Sequence, residues 1–316
     1  MTQVDKAART ILKICLGLTI QESVLIVTEE SLWEIGESLW KYAKKLSKKP
    51  LITYFSPRNS NLQALPDALS ASYKNCDSVI FLTKKLVNQK IFDEARQNGT
   101  RIVVLQNASK ELIERSLTAN YNRISNLSRR LAEIFTIGKN LYLNSPSGTK
   151  AKISIVRKKG IADTGRVHNA GELTCLPAGE ACIFLGNNQI EGRINLDGIA
   201  GYKKLFTKPI ALFLKNNQIT QIKGEKAAEQ LRKELRKFGK FGRQIHEVGV
   251  GTNDKAMLGF SAQEDVKALG TVHVAFGQNR ITKGRGKLIQ SIKGILLNPT
   301  RSIDGKLIIE DGNVLV

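Results

Sequence analysis

Three acid–base side chains in this 316-residue chain sit where solvation is hard to find. Glu180 opens an apolar run after Leu176-Pro177-Ala178-Gly179. Glu247 alternates with apolar neighbours in Ile245-His246-Glu247-Val248-Gly249, and His273 does the same in Val272-His273-Val274-Ala275-Phe276. A carboxylate or imidazole inside such segments is costly to bury unpaired, so each must meet a partner. Two readings are open. One is a salt-bridged glutamate and a hydrogen-bonded histidine in a β core. The other is a metal site, because two carboxylates and an imidazole make a hard-to-borderline ligand set suited to zinc, cobalt, manganese or iron.

Other constellations carry less. Gly249-Val250-Gly251-Thr252-Asn253 has the glycines of a phosphate loop, but neither the preceding βαβ unit nor a Gly-Lys-Ser/Thr ending. Its glycines read as a bend. Cys15, Cys76, Cys175 and Cys182 show no CxxC spacing, and with only three histidines a zinc finger is excluded. The cysteines read as reduced thiols of a cytoplasmic protein.

Longer segments carry a resemblance. Leu176-Pro177-Ala178-Gly179-Glu180 resembles the N-L-P-A-G-E segment of the aminopeptidase T metallopeptidase family. Glu247 to Asn253 is similar to its E-L-G-I-G-T-N, and Glu264 to Gly277 to its E-D-E-K-x-x-G-T-x-H-I-A-x-G. Order and spacing fit. Weaker similarity runs over nearly the whole chain, including Ser145 to Thr149, Asp163-Thr164-Gly165, Pro299-Thr300 and Asp304-Gly305-Lys306. The resemblance implies a two-domain fold, a homodimer and a divalent-metal centre that removes N-terminal amino acids from peptides. A relative of the same fold uses iron to open a dihydroxypyridine ring. Metal-ligand roles follow by resemblance for Glu180, Glu247 and His273, where metals would polarise a scissile carbonyl and lower the pKa of bound water.

The chain departs from the family at one place. Just before the closing G-x-x-x-x-P-T the family carries H-x-D, both members being ligands; here Ser291 stands at the histidine position and Lys293 at the aspartate position. The loop after His273 also lacks a tyrosine that some members use. Alternate strand residues share a face, so Ser291 and Lys293 are expected to point into the site together. Lys293 would then pair with Glu180 and Glu247 in place of a cation. At about 4 Å and an effective dielectric of about 20, each pair is worth roughly 4 kcal/mol before desolvation. A register shift of one residue would turn Lys293 outward instead. A metal-free Ser291–Lys293 nucleophile pair is a further arrangement that the spacing permits.

Two kinds of element have to position these residues. The first half alternates apolar strands with helices: strands at 23–28, 51–55, 77–83 and 101–106, helical stretches at 4–16, 31–47, 87–98 and 109–136. Ser31 and Glu34 have capping-box spacing. Continuous Val/Ile/Leu strands between helices imply a parallel sheet with right-handed crossovers. Near residue 139 the pattern changes to closely spaced strands at 140–144, 150–157, 181–185, 192–197, 209–214 and 217–222. Asp197-Gly198, Asp304-Gly305 and Asp311-Gly312 mark turns, and one helix interrupts at about 224–239. The expected architecture is an N-terminal α/β domain (1–138) and an α+β domain (139–316) with a mostly antiparallel sheet that carries the site motifs.

Composition bounds the function. Forty-nine basic against 28 acidic residues give a net charge of +21 and a pI near 9.9. The excess is spread over both halves. Its densest runs are Lys226 to Arg243 and the group Arg280, Lys283, Arg285, Lys287 and Lys293. Neither run interleaves aromatics as a single-strand platform does, which argues against nucleic acid. No stretch approaches about 18 apolar residues, so no transmembrane helix is expected. Met1 to Lys6 does not read as a secretory signal. The expected protein is aminopeptidase-like with a degraded centre, repurposed to bind a peptide or small anionic ligand, with Arg285 and Lys287 near the mouth. The alternatives are a metal-dependent aminopeptidase working through Glu180, Glu247 and His273 with weakly bound zinc, cobalt or manganese, and a basic nucleic-acid-binding protein.

Overall fold

The structure, a computed structural model, describes residues 2–57, 61–62, 65–186, 189–277 and 291–316. The chain forms two compact units. The first comprises residues 1–123 and 165–178, the second residues 124–164 and 179–316.

In the first unit, β1 (Ser23–Glu29), β2 (Lys49–Phe55), β3 (Ser78–Leu82), β4 (Arg101–Leu105) and a later strand, β8 (Leu173–Cys175), form one sheet in the order β8-β4-β3-β1-β2, every pair parallel. β3 and β4 are buried along their whole length, as Val/Ile/Leu runs covered on both faces must be. The helices of this unit are α1 (Gln3–Arg9), α2 (Trp33–Ala43), α3 (Asp67–Lys74), α4 (Asp93–Gln97) and α5 (Lys110–Ser116). The expected capping box at Ser31 does not form. A short 3-10 turn occupies Glu30–Leu32, and the Ser31 hydroxyl donates instead to Glu29 Oε1 at 2.8 Å. A nearby buried carboxylate takes the hydroxyl that a helix N-terminus would have used.

The second unit begins within α6 (Tyr121–Ile137), not at 139, because the apolar face of that helix (Leu131, Phe135) belongs to the second core. β5 (Asn140–Asn144), β6 (Lys150–Ser154), β10 (Ile190–Leu196), β12 (Ile210–Lys215), β13 (Gln218–Lys223), β17 (Thr300–Ile303), β18 (Lys306–Glu310) and β19 (Asn313–Val314) build an antiparallel sheet in the order β13-β12-β10-β6-β5-β17-β18-β19. β7 (Gly160–Asp163), β9 (Glu180–Phe184), β11 (Gly198–Ile199), β14 (Ile245–Gly251), β15 (Val272–Phe276) and β16 (Ile292–Leu296) build a second, in the order β11-β16-β15-β14-β9-β7. Asp304-Gly305 and Asp311-Gly312 close hairpins with both residues at positive φ, 48° and 84° in the first and 45° and 81° in the second. Asp197-Gly198 closes none. It is a bend between β10 and β11, where the Asp197 carboxylate accepts the Leu297 N–H at 2.8 Å. The mixed fold is as expected: a parallel α/β sheet followed by an antiparallel α+β unit. α7 (Lys226–Arg236) and the one-turn α8 (Ala262–Asp265) complete it. No helix among the described residues is long and apolar enough to cross a membrane.

One hydrophobic cluster fills the second unit. It takes Leu141, Leu143 and Ile153 from one sheet, Ile183, Val248, Val250, Val274 and Phe276 from the other, and Leu231 and Leu235 from α7. The pleat sends alternate residues of the six-stranded sheet to opposite faces. Ala181, Ile183, Val248, Val250, Val272, Val274, Phe276 and Leu296 enter the core. Glu180, Cys182, Glu247, Gly249, His273, Ala275 and Lys293 therefore share the other face.

Candidate functional site

Register brings that second face to one point. Across β9 and β14, Glu180 lies opposite Gly251 and Cys182 opposite Gly249. Across β14 and β15, Gly249 faces His273 and Glu247 faces Ala275. Across β15 and β16, Ala275 faces Lys293. Gly249 is the floor. A Cβ built there would stand 2.3 Å from His273 Cε1 and 2.9 Å from Glu180 Oε1, so only a residue without a side chain lets the imidazole and the carboxylate meet above it.

The three sequence candidates converge. His273 Nε2 is 3.0 Å from Glu180 Oε1 and 3.2 Å from Glu247 Oε1, and all three side chains are buried. Their ligand atoms lie within 4.8 Å of one another, so the group could hold a metal ion. Lys293 enters the same space. Its ammonium donates to Glu247 Oε1 at 2.7 Å and lies 3.9 Å from Glu180 Oε1. Ser291 lies one residue ahead of β16 and is half-buried. Arg280, Lys283, Arg285 and Lys287 lie outside the described residues.

Two further residues complete the cluster, and neither was assigned a role from sequence. Lys267 bridges Glu180 Oε2, at 2.5 Å, and Asp163 Oδ2, at 2.6 Å. Asp163 sits on β7, directly opposite Glu180. One signal for Lys267 was available: it is the only lysine or arginine between Glu264 and Phe276. The result is a chain in which acidic and basic side chains alternate, Asp163–Lys267–Glu180–His273–Glu247–Lys293.

Its electrostatics follow from the two lysines set among three carboxylates. Burial opposes ionisation of Glu180, but Lys267, His273 and Lys293 outweigh it and hold the carboxyl well below the usual carboxylate range. Burial likewise opposes the charge on Glu247; the His273 hydrogen bond and Lys293 bring that carboxyl down to about 2. Burial disfavours both ammoniums as well. Asp163 and Glu180 nevertheless raise Lys267, and Glu180 and Glu247 raise Lys293, above the ordinary lysine value. Burial and the two glutamates push the Cys182 thiol up, which keeps it protonated on the same face.

The donor set is thus complete for a metal only if Lys293 is disregarded. The oxygen that a cation would share between His273 and Glu247 already accepts from an ammonium at 2.7 Å. A divalent ion held by these three side chains would have the Lys293 ammonium as a neighbour, 2.7 Å from Glu247 Oε1.

This fold and site define a class: a two-unit α/β chain with a Glu–Glu–His group on the open face of an antiparallel sheet. The sequence model of NicX, 2,5-dihydroxypyridine 5,6-dioxygenase, matches residues 44–316, and the chain belongs to that family. Among solved structures, 2,5-dihydroxypyridine dioxygenase from Pseudomonas putida KT2440 is similar at a TM-score of 0.80 with 17% identity, covering 100% of this chain and 98% of that one. AmpT from Thermus thermophilus is similar at 0.69 with 14% identity, covering 99% of each chain. At these identities the two structures speak to the fold alone. No curated protein sequence matches the chain. The aminopeptidase T resemblance is therefore corrected in part: AmpT shares the fold, while the family is that of the dioxygenase.

Proposed function

We propose that this chain keeps the fold of its family without the metal chemistry, the Lys293 ammonium holding the place of a cation between Glu180 and Glu247. The observation that carries this reading is the 2.7 Å ion pair of Lys293 with Glu247, on a face whose register also directs Glu180 and His273 there. The chemistry of the cluster agrees. Ammoniums raised above the lysine value are not free amines at neutral pH, so neither Lys293 nor Lys267 is a nucleophile. Carboxyls held low are not general acids there. What remains is a fixed array of paired charge, suited to binding a small polar ligand or a peptide rather than to hydrolysis or ring opening.

A second reading rests on the three converging ligand atoms of Glu180, Glu247 and His273. Under it the chain is a metal-dependent enzyme of the dioxygenase or aminopeptidase kind, once Lys293 has swung aside. Activity separates the two. The purified chain is assayed on 2,5-dihydroxypyridine with iron(II), and on aminoacyl anilides with zinc, cobalt or manganese. The first reading expects no turnover above background. Turnover abolished by Glu247→Ala would establish the second.

A further inference from the structure

Independently of that site, we propose that the exposed face of α7 and its flanking turn docks double-stranded nucleic acid through the phosphate backbone, without reading bases. The sequence carries eight basic and three acidic residues from Lys223 to Arg243, and the fold decides which of them are free. Two of the acids are already engaged, Glu225 with Lys208 and Glu234 with Lys237, each at 2.6 Å; the third, Glu229, is exposed on the same side of α7 as Lys226 and Lys233. Lys226, Lys233, Arg236, Lys240 and Arg243 are exposed, and among the described residues none of them has a carboxylate at ion-pair distance. Lys226 and Lys233 stand two turns apart on one side of α7, and Arg236 follows at the end of the helix. Uncompensated cations on a rigid element are the electrostatic footprint that phosphates select.

The surroundings narrow the partner. The apolar side of α7, with Ala228, Leu231 and Leu235, is spent on the core. Among the described residues no large exposed apolar side chain lies between 213 and 243, so the face has nothing to insert into a membrane. Single-stranded nucleic acid would need open aromatic platforms. The aromatics at hand, Phe213 and Phe241, are half-buried, with the ammoniums of Lys223 and Lys240 at 5.2 and 5.3 Å from their ring centroids. That leaves a duplex backbone, held by charge. The sequence argument against nucleic acid rested on the missing aromatics, which a single strand needs and a duplex backbone does not; on this face the fold pairs two of the three acids and leaves Glu229 beside the five exposed cations.

The test measures fluorescence anisotropy of a labelled random-sequence DNA duplex of about 30 base pairs against salt from about 50 to 200 mM. With five cations engaged, the slope of log affinity on log salt is expected near −4 to −5, a loss on the order of 10²- to 10³-fold over that range. Removing three cations in Lys233→Ala/Arg236→Ala/Lys240→Ala should weaken binding at least about tenfold at low salt and make the slope shallower by roughly 3. A control, Lys6→Ala/Lys13→Ala/Lys48→Ala, removes the same charge from other exposed positions and should leave the slope unchanged. No duplex binding at the lowest salt would overturn the proposal, as would equal losses in both variants. Binding to phosphatidylserine vesicles with none to the duplex would overturn it too.

Discussion

Lys293 and Glu247 set each other's charge, and the pair can be weighed. The Glu247 carboxyl titrates at about 2 in the fold against 4.5 for the free group. A depressed carboxylate contributes stability that is full above the unfolded value and lost as pH falls through the folded one. The window for Glu247 therefore runs from about 4.5 down to about 2. Lys293→Ala removes the cation and leaves a buried carboxylate short of a partner. We expect a loss on the order of 2 kcal/mol at neutral pH and an acid-unfolding midpoint shifted upward, read by circular dichroism against pH. Unchanged acid unfolding would mean that the ion pair carries no net stability. Arg301 is the opposite case. It is fully buried; its three guanidinium nitrogens have no hydrogen-bond partner among the described residues, and the group lies 4.5 Å over the Phe135 ring. A buried charge without an anion costs more than it returns. Arg301→Met is expected to raise stability by about 1–3 kcal/mol, measured by urea unfolding.

At the scale of elements, the site is a consequence of strand parity. Apolar alternation around Glu247 and His273 was legible as a β core and indicated which residues could share a face, although the strands expected from sequence stop at 217–222 and the two strands at 245–251 and 272–276 were not assigned. The two-residue spacing of Ser291 and Lys293 made the same statement about β16. What alternation could not carry was pairing between distant strands. Asp163 meets Glu180 only because β7 lies beside β9, and Lys267 reaches both from a loop with no periodicity to announce it. β8 was equally hidden: three residues, Leu173–Cys175, are too few to show a period, yet they complete the parallel sheet. The start of the second unit was misplaced because a continuous helix, α6, spans it, and amphipathicity does not say which core a helix serves. Parity also yields a constructive test. Ser291→His with Lys293→Asp removes the like charge and adds two donors beside Glu180, Glu247 and His273. This double variant should gain cobalt(II) binding, visible as d–d absorption, where the parent shows none. No gain would mean that β16 does not present these two positions to the site.

For the whole molecule, a net charge of +21 is an average over unlike surfaces. In the centre of the six-stranded sheet, positive charge is locked into an internal network with three carboxylates. On α7 and its flanking turn basic residues outnumber acids, and among the described residues five of the cations stand without an ion pair. The chain belongs to the dioxygenase family and has its fold; in the function we propose, Lys293 decides what that fold does at its centre. The most direct measurement is metal content. The protein is expressed with iron, zinc, cobalt and manganese supplied, purified at neutral pH without chelator, dialysed, and analysed by inductively coupled plasma mass spectrometry. We predict divalent metal far below one ion per chain. One tightly held divalent ion per chain, lost on Glu247→Ala, would contradict the account.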